Sequence, residues 1–178
     1  MAKQQSAGIL LYRMTDGILE VLLVHPGGPL WANKDAGAWS ITKGEFDETE
    51  DPFEAALREY REEVGQAING KMIQLSPIKQ KSGKVVYAWA AEGNIDPKSI
   101  KSNTFELEWP PRSGKKQRVP EIDKGEWFSV PTAKTKINKY QSALIDELIT
   151  RLNLSPSQIR DKPNKGSVAQ QQDTFSKH

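Results

Sequence analysis

Acidic side chains are concentrated in one segment of this sequence. Residues 45–63 contain nine carboxylates and two basic side chains, a local charge of −7, whereas the whole chain carries +2. Glu62 and Glu63 follow Glu59 by three and four residues, so on a helix the three side chains would be neighbours. Neighbouring carboxylates repel one another unless water or a cation screens them. A hard divalent cation, Mg²⁺ or Mn²⁺ rather than zinc, suits such an all-oxygen ligand set.

The sequence predicts a helix that would carry these carboxylates. Asp51 can cap its N-terminus, Pro52 suits its first turn, and Gly65 can end it. The apolar face of this helix consists of side chains at helical spacing: Phe53, Leu57, Tyr60 and Val64. A solvated acidic face is the ordinary explanation of such a run, so a longer pattern is needed to favour a metal site.

A longer pattern does surround the three carboxylates. Seven residues match G-x5-E-x7-R-E-U-x-E-E-x-G-U, where U is usually aliphatic: Gly44, Glu50, Arg58, Glu59, Glu62, Glu63 and Gly65. This pattern resembles the signature of the Nudix hydrolase family, and the resemblance spans Gly44 to Gln66. Tyr60 and Gln66 depart from it at the two U positions, and Thr42 stands where many relatives have proline. These departures concern packing more than chemistry.

The resemblance implies a hydrolase in which water attacks a phosphorus of a nucleoside diphosphate linked to another group. It implies that Glu59, Glu62, Glu63 and the carbonyl of Gly44 are ligands of catalytic Mg²⁺ or Mn²⁺, and that Glu50 and Arg58 form a structural pair. The first candidate for the general base is Glu62, within the signature, and the main candidate outside it is Glu121, from a later loop, where an ordinary exposed acid is the alternative. The candidate catalytic residues are therefore Glu59, Glu62, Glu63 and Glu121.

The substrate class remains open between two possibilities. The sequence resembles bacterial dinucleoside polyphosphate hydrolases and nucleoside triphosphate pyrophosphohydrolases, and its residues do not decide between them. A non-catalytic Nudix-fold module that senses nucleotides or binds a partner is the alternative function. Such modules typically lose one or more glutamates of the signature, whereas all are present here, so we expect an enzyme.

Several residues outside the signature are candidate substrate contacts. Lys43 would lie beside the metal ligands and bind phosphate, and Lys34 is a weaker candidate for the same role. Trp31 lies in a polar, glycine-rich loop and is expected to stack on a base. Arg118 belongs to a basic segment, 109–124, that is predicted to be a mobile loop reaching extra phosphates, with a solvated surface loop as the alternative.

The elements predicted to position these residues are strands mixed with two helices. Strands are predicted at 8–12 and 19–24, joined by a turn at 15–17, and at 39–41, 72–78, 85–91, 105–109 and 127–130. A second amphipathic helix is predicted over 139–152. This mixture indicates an α/β or α+β domain over residues 1–152, which by resemblance is an α/β/α sandwich with a mixed central sheet. Residues 153–178 are polar and predict a flexible tail.

Composition and charge exclude several classes of protein. The nearly balanced charge argues against binding nucleic acid by bulk charge. The absence of cysteine excludes a disulfide scaffold, a thiolate zinc site and a cysteine nucleophile. No stretch approaches the roughly 20 apolar residues of a membrane span, and no signal peptide is evident. We therefore expect a cytoplasmic protein whose partner is a small nucleotide, with the oligomeric state left open.

Overall fold

The structure, a computed structural model, describes residues 4–68 and 70–163. These residues form eight strands and three α-helices. In chain order they are β1 Gln5–Thr15, β2 Ile18–Pro26, β3 Thr42–Phe46, α1 Pro52–Val64, β4 Met72–Lys79, β5 Val85–Glu92, β6 Thr104–Glu108, β7 Lys116–Pro120, β8 Ile122–Ser129, α2 Val130–Lys136 and α3 Ser142–Arg151. Short 3₁₀ turns lie at Pro97–Ser99 and Pro156–Gln158.

Strand β1 organises the central sheet. Its neighbours give the order β4-β5-β1-β2-β8, and β3 pairs with the first half of β1. The β1–β5 pair is parallel, whereas the β1–β2 and β1–β3 pairs are antiparallel. Asp16 and Gly17 both have positive φ in the β1–β2 turn, the backbone that a tight hairpin requires. The sheet is thus mixed, as the resemblance implied.

Helices cover both faces of this sheet. Alternate residues of β1 point to opposite faces, so Ile9 packs with α1 while Leu10 packs with α2 and α3. Burial on both faces explains why β1 and β2 are almost continuously apolar. The architecture is an α+β fold with a mixed central sheet between helices, which confirms the expected fold class. Within the described residues, no helix is long and apolar enough to cross a membrane.

Two predictions of local structure are wrong. Residues 39–41 form only isolated bridges, Val24 with Ser40 and Trp39 with Ile137, and the regular strand begins at Thr42. The segment 109–124 is not one mobile loop, because it contains all of β7 and the start of β8. Strands β6 and β7 form a separate two-stranded ribbon in which charged residues face each other. Strand β6 matches the strand expected at 105–109, whereas β7 is mostly exposed and lacks the apolar alternation that predicts a strand.

The packed part of the chain extends beyond the boundary expected at Leu152. Leu154 and Ile159 pack against the core, and Lys162 forms an ion pair with Glu20 at 3.0 Å. Asp161 accepts hydrogen bonds from Ser129 and Thr132. Residues 153–163 therefore contact the domain, whereas the rest of the expected tail, 164–178, lies outside the described residues.

Candidate active site

Helix α1 begins and ends at the predicted residues. The Asp51 side chain accepts hydrogen bonds from the backbone N–H groups of Phe53 and Glu54, at 3.1 and 3.2 Å. Gly65 adopts a left-handed conformation with φ of 77°, and its N–H donates to the carbonyl of Arg61. Because the apolar side of α1 is packed on the sheet, the direction of its acidic residues is set by the core.

Glu59 lies against the backbone of β3. A Cβ added at Gly44 would overlap the Glu59 carboxylate, so only glycine leaves room for it. Burial raises the pKa of Glu59, and Glu62 and Glu121 add to this shift, while Arg58 opposes it. The structure therefore holds a partly desolvated carboxylate in contact with the signature's first glycine.

Glu63 is a buried acid without a hydrogen-bond partner on one of its oxygens. Its exposed fraction is 5%, and its Oε2 atom has no partner among the described residues. Burial first, then the neighbouring charges of Glu59 and Glu121, raise the pKa of Glu63 to about 8. An unsatisfied buried carboxylate is costly unless a cation neutralises it.

Arg58 links the acidic residues on one side of the helix. It donates to both oxygens of Glu50, at 2.7 and 3.0 Å, which confirms the structural pair implied by the resemblance. It also donates to Glu59 at 2.9 Å and to the half-exposed Glu62 at 3.4 Å. The hydrogen bond to Glu50 raises the pKa of Arg58 further. This arginine ties the loop before α1 to the helix itself.

The donor chemistry fits a hard divalent cation, although the cage is not preformed. Within residues 4–68 and 70–163, no three histidine or acidic side chains converge as a ready metal-holding group. The contacts of Glu59 and Glu62 with Arg58 are consistent with this. The unsatisfied Glu63 oxygen and the Glu59 carboxylate seated on Gly44 are nevertheless hard oxygen donors of the kind that Mg²⁺ prefers.

A cavity of about 250 Å³ opens beside Glu63. Apolar side chains form much of its wall: Val24, Pro26, Ala38, Ile41 and Ile122, with Trp31. Lys43, Glu63 and Glu121 meet in the same cavity. Burial lowers the pKa of Lys43, and Lys84 adds to this shift, whereas Glu63 opposes it. An apolar pocket with a few convergent polar groups is typical of a ligand site.

The other predicted substrate residues differ in whether they line this cavity. Trp31 is 38% exposed, and the Lys34 ammonium lies 4.9 Å from the centre of its ring, but Lys34 is not a lining residue. Arg118 lies exposed on β7, opposite Glu106 in the ribbon, and does not line the cavity. Glu62 does not line it either.

Asn138 is a cavity residue that the sequence did not indicate. Its Oδ1 accepts a hydrogen bond from the N–H of Tyr140 at 2.9 Å, and its own N–H donates to the carbonyl of Trp39 at 2.7 Å. The side-chain nitrogen makes no hydrogen bond within the described part of the chain and is available to a ligand. The sequence pattern around one polar residue between two helices does not predict a binding role. Asn138 reaches the cavity through contacts with residues distant in sequence, such as Trp39.

The chain belongs to the NUDIX family, because a model of the NUDIX domain matches residues 2–148. Membership indicates a hydrolase acting on pyrophosphate bonds of nucleotide-linked compounds, in a family whose members generally use divalent metal ions.

Solved structures share the fold at low sequence identity. An Ap4A hydrolase from C. elegans, solved as a binary complex, is 23% identical over 84% of this chain and 97% of its own, with a TM-score of 0.57. The NUDIX domain of Shewanella oneidensis NrtR, solved with ADP ribose, is 17% identical over 85% and 90%, with a TM-score of 0.58. A mutT/nudix protein from Listeria innocua is 15% identical over 86% and 96%, at 0.57. No curated protein matches the sequence.

Proposed function

We propose that this protein is a divalent-metal-dependent hydrolase that cleaves a phosphoanhydride bond in a dinucleoside polyphosphate or a nucleoside triphosphate. The observation that carries the proposal is Glu63, a buried carboxylate with an unsatisfied oxygen and a raised pKa, in one cavity with Lys43 and Glu121. Groups with strongly perturbed pKa values in a cleft are typical of active sites.

Four groups would hold the metal: the carboxylates of Glu59, Glu62 and Glu63 and the carbonyl of Gly44. A bound Mg²⁺ or Mn²⁺ polarises phosphate oxygens and lowers the pKa of a coordinated water. For Glu59 and Glu62 to become ligands, their contacts with Arg58 must loosen, and the bidentate pair with Glu50 keeps Arg58 in place when they do.

The general base we favour between the two candidates is Glu121. Glu121 lines the cavity with Lys43, whereas Glu62 lies outside it and pairs with Arg58. A base must lie within hydrogen-bond reach of the proton it removes, and a carboxylate in the cavity wall meets that requirement more directly. Glu62 remains the alternative, and the kinetics of the Glu62→Gln and Glu121→Gln variants distinguish the two.

The remaining cavity residues would bind the substrate. Lys43 is a partly buried cation that lines the same cavity as Glu63 and would contact a phosphate oxygen. Trp31 would stack on the nucleobase at the cavity wall, and Lys34 would hold the indole ring in place from its other side. The amide nitrogen of Asn138 would donate to an acceptor on the bound group.

The experiment is a hydrolysis assay of the purified protein against nucleoside triphosphates and dinucleoside polyphosphates, with Mg²⁺, with Mn²⁺ and with a chelator. We expect metal-dependent release of phosphate-containing products. Glu63→Gln should lower kcat by roughly 10²–10⁴-fold, whereas the control Glu54→Gln, exposed in the first turn of the same helix, should not. Nucleotide binding without turnover by the wild-type protein would contradict the proposal and favour a sensing module.

A further inference from the structure

The segment Lys101–Asn103 joins two parts of the candidate site. The N–H of Lys101 donates to the carbonyl of Glu63 at 2.7 Å, in the last turn of α1. The carbonyl of Asn103 accepts from the N–H of Glu121 at 2.8 Å. Three consecutive residues therefore contact the backbones of both Glu63 and Glu121, although these two are far apart in the sequence.

The Ser102 hydroxyl completes this connection. It accepts a hydrogen bond from the N–H of Ile122 at 2.8 Å and donates to the carbonyl of Asn103 at 2.7 Å. The N–H groups of both Glu121 and Ile122 are thus held by the same short segment. The carbonyl of Glu121 accepts from the N–H of Gly27 at 3.0 Å, so the backbone of Glu121 is fixed on both its donor and its acceptor.

Glu121 needs such support because of its place in the chain. It is the single residue between β7, which pairs with β6 in the ribbon, and β8, which pairs with β2 in the main sheet. Without a connection to the body, movement of the ribbon would be passed directly to Glu121. A two-stranded ribbon alone is marginally stable.

We propose that Ser102 is a positioning residue for the Glu121 carboxylate. Its hydroxyl bridge sets the point at which the chain turns from the ribbon into β8, and so keeps Glu121 in the wall of the cavity that also contains Glu63. Ser102 is partly buried and does not line the cavity. This inference rests on the proposed function, because it assigns Glu121 a part in that reaction.

The sequence supplies a matched control one turn away. The hydroxyl of Ser99 donates to the carbonyl of Asp96 at 2.6 Å, within its own 3₁₀ turn, and among the described residues it makes no hydrogen bond with Glu121 or Ile122. Ser99→Ala therefore removes the same kind of group from the same region without touching the bridge. Ser102→Thr keeps a hydroxyl at the bridge and tests rescue.

The experiment measures kcat and KM for Ser102→Ala, Ser102→Thr and Ser99→Ala. We expect Ser102→Ala to lower kcat roughly 10–100-fold, the effect of a displaced catalytic group, with KM within about threefold because Lys43 and Trp31 are unchanged. Ser102→Thr should restore most of kcat, and Ser99→Ala should behave as the wild type. Equal losses in Ser102→Ala and Ser99→Ala would overturn the proposal.

A double-mutant cycle with Glu121→Gln shows whether Ser102 acts through Glu121. We expect Ser102→Ala to cause no further loss of kcat in the Glu121→Gln protein, whereas an undiminished loss would mean that Ser102 only supports the fold. Wild-type kcat in Glu121→Gln would overturn this inference alone and leave the proposed hydrolase in place.

Amide hydrogen exchange provides a readout that needs no turnover. We expect the Ile122 and Glu121 amides to be protected in the wild type and in Ser102→Thr, and to exchange faster in Ser102→Ala. If the wild-type protein hydrolyses no substrate, the proposed function fails, and exchange alone decides whether Ser102 holds this backbone. Unchanged protection in Ser102→Ala would overturn the bridge.

Discussion

Gly44 and Gly65 both belong to the signature, and each position requires glycine for a different physical reason. At Gly44 the space that a Cβ would need is occupied by the Glu59 carboxylate. At Gly65 nothing lies within 4 Å of an added Cβ, and the requirement is the left-handed backbone that ends α1. One glycine thus makes room for a candidate metal ligand, while the other only ends a helix.

Substituting these two glycines separates chemistry from stability. We expect Gly44→Ala to displace Glu59 and lower kcat at least roughly tenfold, because a ligand moved by about 1 Å is costly. Gly65→Ala should instead lower the free energy of unfolding by about 1–2 kcal/mol with little change in kcat. Urea unfolding and steady-state kinetics on both proteins test this. Wild-type kcat in Gly44→Ala would mean that the position of Glu59 does not matter for turnover.

Glu63 makes the metal-free protein less stable as the pH rises. Its pKa is about 8 in the folded protein, against 4.5 for an ordinary glutamate in water. Between these values the folded state keeps the proton and the unfolded state loses it, so the free energy of unfolding falls with pH. We expect Glu63→Gln to match the wild type near pH 4.5 and to exceed it by up to roughly 3–5 kcal/mol above pH 8.

Urea unfolding in chelator at several pH values measures this difference, with Glu54→Gln as the control. With Mg²⁺ the wild type should become more stable than Glu63→Gln, because the ionised Glu63 then neutralises the cation. A stability gain that is independent of pH would show that Glu63 does not titrate as described.

At the level of elements, the β6–β7 ribbon separates its cations into two groups. Lys116 and Arg118 lie in β7 opposite Glu108 and Glu106, so their charge is balanced across the strands. Arg112 and Lys115 lie in the connection at the tip, outside the paired positions, so no carboxylate faces them across the strands. The tip cations therefore lack the facing carboxylates that Lys116 and Arg118 have, and they are the ribbon's candidates for contact with a polyphosphate chain.

Replacing the two groups separately tests whether the ribbon binds substrate. We expect the pair Arg112→Ala and Lys115→Ala to raise KM for four-phosphate substrates roughly tenfold, about the value of one hydrogen bond to a charged group, and to affect two-phosphate substrates less. The control pair, Lys116→Ala and Arg118→Ala, should change both substrates little. Equal effects of the two pairs on both substrates would mean that the tip is only a solvated surface.

On the scale of the whole molecule, residues 153–163 close one side of the domain. Leu154 and Ile159 extend the core formed by α2 and α3. Lys162 contacts Glu20, a buried carboxylate whose pKa is held below its usual range by Lys162 and Arg13 against the effect of burial. This segment therefore adds both apolar contact and charge compensation to the domain.

Two truncated proteins isolate the contribution of this segment. We expect the protein ending at Leu152 to be less stable than the one ending at Pro163 by roughly 2–4 kcal/mol, because it loses two apolar side chains and leaves Glu20 with fewer partners. Chemical unfolding of both proteins gives the difference directly. Equal unfolding midpoints would mean that residues 153–163 only lie on the surface, as a flexible tail would.

Local chemistry made much of this fold predictable. The ends of α1 follow from Asp51, Pro52 and Gly65, and the first hairpin follows from two apolar runs around Asp16 and Gly17. Capping, turn formation and apolar periodicity are interactions between residues a few positions apart, so they can be read without the tertiary structure. The pairing of Glu50 with Arg58 followed from the family signature and is present.

The sequence by itself therefore determined the family, the acidic helix and its ends, and the residue types available for chemistry. Only the tertiary structure decided that Glu63 is buried without a partner on Oε2 and that Trp31, Lys43, Glu121 and Asn138 share its cavity. It also decided that Arg118 lies in a strand and does not line that cavity. The physical reason is that these contacts join residues distant in sequence, and their proximity depends on the order of strands in the sheet.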